Sequence, residues 1–223
     1  MIDLSKPNGV YVLKLGNDEN RFTPDWLNSI NAALDDVVAT PAPLVTIGDG
    51  KFYSNGLDLD WMMANPAQAA GYVADVQDLL ARVLTLPVPT VAAVSGHAFG
   101  AGAMIAMAHD WRIMRADRGY LCFPEVDIRI PFTPGMAALV QAKLTPQGAV
   151  AAMTTGHRYP GPEALAAGLV DGVAAEAELL REAVARVEPL AGKDAGTLAA
   201  IKTTMFAGAV AALRSREPAT SSQ

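Results

Sequence analysis

Cysteine is almost missing from this chain: Cys122 is the only one among 223 residues. A single thiol excludes an intrachain disulfide and any zinc centre built from several cysteines, and it fits a reducing compartment. Charge is sparse as well, with 18% Asp, Glu, Lys and Arg and a formal net charge of -6. No block of Lys or Arg stands out, so no nucleic-acid partner is expected. His97, His109 and His157 are scattered, and none stands at ligand spacing from a cysteine or carboxylate, so no metal is expected either. The opening MIDLSKPNGVYVLKL lacks the charged head and apolar run of a signal peptide. The closing REPATSSQ matches no common organelle address. These absences read as a cytoplasmic chain.

Apolar and small residues are what the chain has in quantity: 51% is hydrophobic and 19 residues are glycine. That suffices for one sizeable core. With so little charge, some apolar surface is expected to be covered by other subunits. One stretch, Val88 to Ala108, is long enough to be tested as a membrane span. It holds Pro89, Ser95, His97 and three glycines and begins β-branched, so a buried strand, a Gly-rich turn and a buried helix describe it better. No membrane partner is expected.

Strand and helix alternate through the first half. Gly9 to Leu15, Leu44 to Ile47, Val91 to Val94, Trp111 to Arg115 and Tyr120 to Phe123 read as strands. A helix opens at Thr23-Pro24, with Thr23 as N-cap, and carries Trp26, Leu27, Ile30, Ala33, Leu34 and Val37 at helical spacing. Further helices are predicted over 67–86 and 103–108, after the loop IRIPFTPG through Leu144, and over 145–154, 162–167, 176–190 and 196–214. The last third thus reads as all helix. The pattern predicts one α/β core domain, residues 1–190, with a C-terminal helical extension and polar tail, residues 191–223.

Two segments carry the chemistry. In TVAAVSGHAFGAGAMIAMAHD a buried strand runs into Gly96, and Gly100, Ala101 and Gly102 then start a helix. The unpaired amides of a first helical turn point outward and favour negative charge, which is the physics of an oxyanion hole. A glycine turn that only packs a helix on a sheet has the same composition. In GKFYSNGLDLDWM a second strand meets Gly56 just before a helix, so two loops could each offer one N–H to the same oxygen. Other motifs are weaker. The glycines do not fit a dinucleotide fingerprint, no G-K-[ST] marks a P-loop, and Ser95 lacks the G-x-S-x-G elbow that a Ser95/His97/Asp110 hydrolase would need.

Together these two segments, with FPEVDIRIPFTPG and TTGHRYPGPEALAAGLVDGV in the same order, resemble the crotonase (enoyl-CoA hydratase/isomerase) superfamily over about residues 9 to 210. SNGLDLDWM with HDWRIMRADRGYLCFPEVDI is most similar to Δ3,Δ2-enoyl-CoA isomerases. The resemblance implies a crotonase-like spiral of ββα units with a helical C-terminal region. It also implies that the backbone N–H groups of Leu57 and Ala101 hold a thioester oxygen. Family hydratases use two glutamates, and their positions fall here on Met104 and Glu125. Methionine cannot carry a proton, so the resemblance implies a double-bond isomerase with Glu125 as the single acid/base. The other crotonase reactions (thioester hydrolysis, decarboxylation or hydration) and plain acyl-CoA binding are the alternatives. Glu125 could instead be a strand-end carboxylate paired with Arg129. Lys51, Asn55, Gly56, Leu59, Gly100 and Met104 are the implied acyl-CoA contacts, with Arg21 a further candidate for the phosphates. A second family lysine falls on Asp60. Coenzyme A is then part of the substrate and no other cofactor is expected. The family's usual assembly implies a homotrimer or a dimer of trimers. Asp58 is expected to cap a helix, and Asp110 to end one or to pair with Arg112.

Overall fold

Short apolar runs bounded by Pro and Gly become strands here, and amphipathic runs opened by capping residues become helices. In the computed structural model, which describes residues 2–215, the strands are β1 (Asp3–Ser5), β2 (Tyr11–Lys14), β3 (Leu44–Ile47), β4 (Phe52–Ser54), β5 (Thr90–Val94), β6 (His97–Phe99), β7 (Trp111–Arg115), β8 (Leu121–Cys122) and β9 (Gly172–Ala174). The helices are α1 (Pro24–Ala39), α2 (Leu59–Ala64), α3 (Ala69–Leu84), α4 (Ala101–Ala108), α5 (Glu125–Ile128), α6 (Pro134–Lys143), α7 (Pro146–Thr155), α8 (Gly161–Ala166), α9 (Glu176–Val187), α10 (Ala195–Met205) and α11 (Ala207–Arg214). Thr23, Thr133 and Thr145 each accept a hydrogen bond from the first helical turn, with proline following. Each pair fixes a helix start, since proline lacks the N–H that would go unused there.

A six-stranded sheet runs β1-β2-β3-β5-β7-β9, and a three-stranded sheet runs β4-β6-β8. Apart from the antiparallel β1-β2 pair, every pairing is parallel. Successive turns of the chain thus add one strand to each sheet and then a helix, which is the spiral of ββα units expected from the sequence. The corners between the two sheets stack closely: a Cβ on Gly96 would lie 2.1 Å from the Lys51 carbonyl oxygen. Only glycine lets successive corners approach that far.

Both faces of the large sheet are covered, as parallel sheets require. Val45, Val91 and Ile113 meet Leu179, Ala183 and Val187 of α9 on one face, and the larger core with α1, α3 and α4 lies on the other. All eight residues of α4 are buried, which its Ala- and Gly-rich sequence permits. Its C-terminal end is pinned by a buried chain of hydrogen bonds. His109 Nδ1 lies 2.8 Å from the Ile105 carbonyl, so Nδ1 carries the proton and Nε2 accepts from Thr46 Oγ1 at 3.0 Å. Thr46 Oγ1 in turn accepts from the Tyr53 hydroxyl at 2.8 Å.

The structure departs from the sequence expectations in several places. The stretch expected as a turn, SGHAFGAG, contains β6. The last third is not all helix, because β9 joins the large sheet beside β7. The single helix expected over 196–214 is two, α10 and α11, bent by 79° at Phe206. Lys202 explains the break on one side, anchoring α10 through 2.7 Å and 2.8 Å bonds to Asp110 Oδ2 and the Val88 carbonyl. On the other side α11 turns away to pack on α6 and α3. Asp110 therefore pairs with Lys202, and Arg112 pairs with Asp171. Among the described residues no single helix is long and apolar enough to cross a membrane. The polar tail lies outside the described residues.

Candidate active site

The loop after β4 is held on every side except one. Asn55 N–H donates to the Glu19 carbonyl at 2.8 Å, and the Asn55 carboxamide donates to Glu19 Oε2 at 3.1 Å. Gly56 N–H donates to Ser54 Oγ, and the Gly56 carbonyl accepts from Phe22 N–H. Asp58 N–H donates to the Tyr72 hydroxyl at 2.9 Å, while its carboxylate caps α2 by accepting from Trp61 N–H. Between these tethers, Leu57 N–H donates to no group among the described residues. Gly56 has φ +76°, and a Cβ there would lie 2.7 Å from Phe99 O and 2.9 Å from Ala101 N. The first loop is thus pressed directly against the start of α4.

The α4 start is set by Gly100, with φ 52° and ψ -122°, whose N–H donates to the Cys122 carbonyl at 3.0 Å. Its own carbonyl accepts from Ala103 and Met104. Ala101 N–H, in the first turn, also has no acceptor among the described residues. Leu57 and Ala101 line one cavity of about 330 Å³, together with Asn55, Leu59, Gly100, Met104 and Glu125.

Glu125 enters this cavity from the other side. The structure makes it the first residue of α5, where the sequence suggested a strand end. It is 8% exposed, and its Oε2 has no hydrogen-bond partner. Oε1 lies 3.5 Å from where a Cβ on Gly100 would stand, so the carboxylate sits beside the α4 start. Burial pushes its pKa up to about 7, against a smaller opposing pull from a backbone hydrogen bond of Glu125 itself. No ion pair joins Glu125 to Arg129 among the described residues; Arg129 takes a left-handed conformation as the C-cap of α5. Met104, the position at which the resemblance implies the second glutamate of a hydratase, is buried and lines the same cavity.

The expected cations are less well gathered. Lys51 does not line the cavity; its Nζ lies 5.2 Å from the Phe52 ring centre. Arg21 does line it, but its guanidinium faces Glu19, Asp60 and Asp58 at 2.5, 3.3 and 3.8 Å. Arg158, which the sequence did not single out, stands at the rim with its guanidinium 5.6 Å from the Phe99 ring centre. It is brought there by the antiparallel bridge between Leu121 and Tyr159, a contact no local pattern announces. Phe132, Thr133 and Met136 also line the cavity, and IRIPFTPG marked their segment only as a loop.

This arrangement combines two amides that have no acceptor among the described residues, both on residues lining an apolar cavity, with one desolvated carboxyl. It can stabilise an oxyanion and move a proton between two carbons of a bound chain. A family model described as enoyl-CoA hydratase/isomerase matches residues 5–220. The chain is 39% identical over 191 residues to enoyl-CoA delta isomerase 3 of Arabidopsis thaliana, covering 78% of this chain and 77% of that protein. Relatives named as enoyl-CoA hydratases match at 31% and 33% identity. Among solved structures, a Mycobacterium tuberculosis protein, described as an enoyl-CoA isomerase in one structure and as a probable enoyl-CoA hydratase in another, superposes with TM-scores of 0.88 and 0.89 at 25% identity, over 96% of this chain and 95% and 91% of those chains.

Proposed function

The chain belongs to the enoyl-CoA hydratase/isomerase family and is an enzyme of the crotonase superfamily, and from that premise we propose that it moves the double bond of a 3-enoyl-CoA into conjugation, giving the 2-enoyl-CoA. The observation that carries the reading is the lone buried carboxyl of Glu125, with an unpaired oxygen, facing a cavity in which Met104 supplies no second acid. The thioester oxygen accepts from Leu57 N–H and Ala101 N–H. Glu125 removes an α-proton, the charge spreads into a dienolate whose oxygen those amides hold, and the same carboxyl returns the proton at the γ-carbon. One donor of this kind contributes about 3–4 kcal/mol to transition-state stabilisation. A base near neutral pKa serves both halves of the transfer. Asn55, Leu59, Gly100 and Met104 line the cavity around the acyl thioester; Gly56 does not line it but seats the first loop against the start of α4, and Lys51 lies outside it, where only the distal part of coenzyme A could reach.

Relatives with hydratase names make hydration the second reading. Adding water needs one group to activate it and another to protonate the carbon, and the Met104 position cannot do either. The two readings separate in a product assay. With purified protein, 3-enoyl-CoA should be converted to 2-enoyl-CoA, read by absorbance of the conjugated thioester. The same protein given 2-enoyl-CoA should release no 3-hydroxyacyl-CoA by mass spectrometry. Rapid formation of the hydroxy product without isomerisation would replace the isomerase reading by hydration.

A further inference from the structure

A second cavity, of about 490 Å³, opens between α10 and the body of the protein, away from Glu125. Its wall is largely apolar, with Leu198, Ile201, Met205 and Phe206 from the helical side, and Lys143 stands in it. Lys143 is the last residue of α6; its Nζ donates to the His109 carbonyl at 2.8 Å and lies 5.2 Å from the Phe206 ring centre. Among the described residues no carboxylate comes within ion-pair distance of it. The neighbouring Lys202 is the contrast, since its Nζ is tied to Asp110 Oδ2 at 2.7 Å and to the Val88 carbonyl.

We propose that Lys143 is an acyl-acceptor lysine, N-acylated by acyl-CoA thioesters, with the transferred acyl group lodged in the cavity beside it. The neutral amine attacks the thioester carbonyl carbon. A C–N bond forms, the C–S bond breaks, and the electron pair leaves with the coenzyme A thiolate. The proton lost from Nζ passes through water to that thiolate, so the products are an amide and free coenzyme A, and no oxidant or reductant is needed. The amide N–H can keep the bond to the His109 carbonyl, and the loss of charge is favourable where the ammonium was poorly solvated.

The electrostatic setting agrees. Burial and then Arg112 depress the Lys143 pKa to about 8, Asp110 and Asp171 oppose this, and Lys202 adds to it. Lys193 and Asp194 line the same cavity, and the adjacent His109 is held neutral by its burial. At pH 8 about half of such an amine is neutral, against a few parts per thousand for a lysine near its ordinary value of about 10.4.

The test is covalent labelling, so it does not depend on turnover at Glu125. The full chain is incubated with acetyl-CoA or octanoyl-CoA at pH 6.5, 7.5 and 8.5, and acyl-lysine is quantified by peptide mass spectrometry, with Lys14 and Lys51 as internal references. At pH 7.5 Lys143 should be acylated about tenfold faster than either reference. Its rate should level off above pH 8, and octanoyl transfer should gain on acetyl transfer at Lys143 alone. Acylation of Lys143 no faster than at Lys14 and Lys51 overturns the proposal. So does an advantage that persists in concentrated urea, where the cavity is gone.

Discussion

Glu125 is costly to the fold in the form that the chemistry needs. Its pKa rises from 4.5 to about 7 because burial disfavours the charged carboxylate. The folded protein therefore holds this proton more tightly than the unfolded chain does. The stabilisation from that proton is complete below pH 4.5 and is lost as pH climbs through 7, amounting to about 3 kcal/mol. Glu125→Gln removes the titration while keeping the shape. It should leave thermal stability little changed near pH 4 and raise it at pH 8, by up to about 3 kcal/mol, checked by calorimetry at the two pH values. Equal stability at both would mean the carboxyl is better solvated than its burial implies. The residue was legible through the family resemblance and its apolar neighbours Leu121 to Pro124 and Val126, but its unpaired Oε2 was not. Arg158 was illegible altogether, because it reaches the site through pairing with residues almost forty positions away.

At the scale of elements, the site is a joint between the loop after β4 and the first turn of α4. Gly56 holds that joint closed with a positive φ and no side chain toward Ala101 N. Gly56→Ala puts a methyl group within 2.9 Å of Ala101 N, in a conformation that L side chains rarely adopt. The variant should lose at least about a hundredfold in kcat, the scale of losing one oxyanion donor. Full activity would show that the two loops do not act as one unit. Elements with a start signal were readable in advance. Thr23-Pro24 predicts α1, and Pro89 stands just before the strand read over Val91 to Val94. β6 and β9 were not: at three residues each they carry no period, and they exist because neighbouring strands pair with them. The break at Phe206 was hidden for a related reason. The sequence over 196–214 stays helix-forming throughout, and the bend is imposed by where Lys202 and α11 find partners.

For the whole molecule, apolar surface remains to be covered. Met63, Val126 and Val150 are each more than half exposed, and Ile128 and Ile130 are exposed at the rim of the catalytic cavity. α5 packs on α7, which brings Val126 and Val150 onto neighbouring elements. We propose a homotrimer, alone or as a dimer of trimers, with these side chains at its interfaces. Sedimentation equilibrium should give a mass of about 70 kDa or twice that, from chains of 23.3 kDa, and a monomer at micromolar concentration would contradict it. The central claim concerns the reaction that the whole fold supports, one carboxyl moving one proton. Its most direct test is the steady-state isomerisation of 3-enoyl-CoA by the Glu125→Gln protein beside the wild type. The account predicts a fall in kcat of about a thousandfold or more with little change in KM. Isomerisation by the Glu125→Gln protein at the wild-type rate contradicts it.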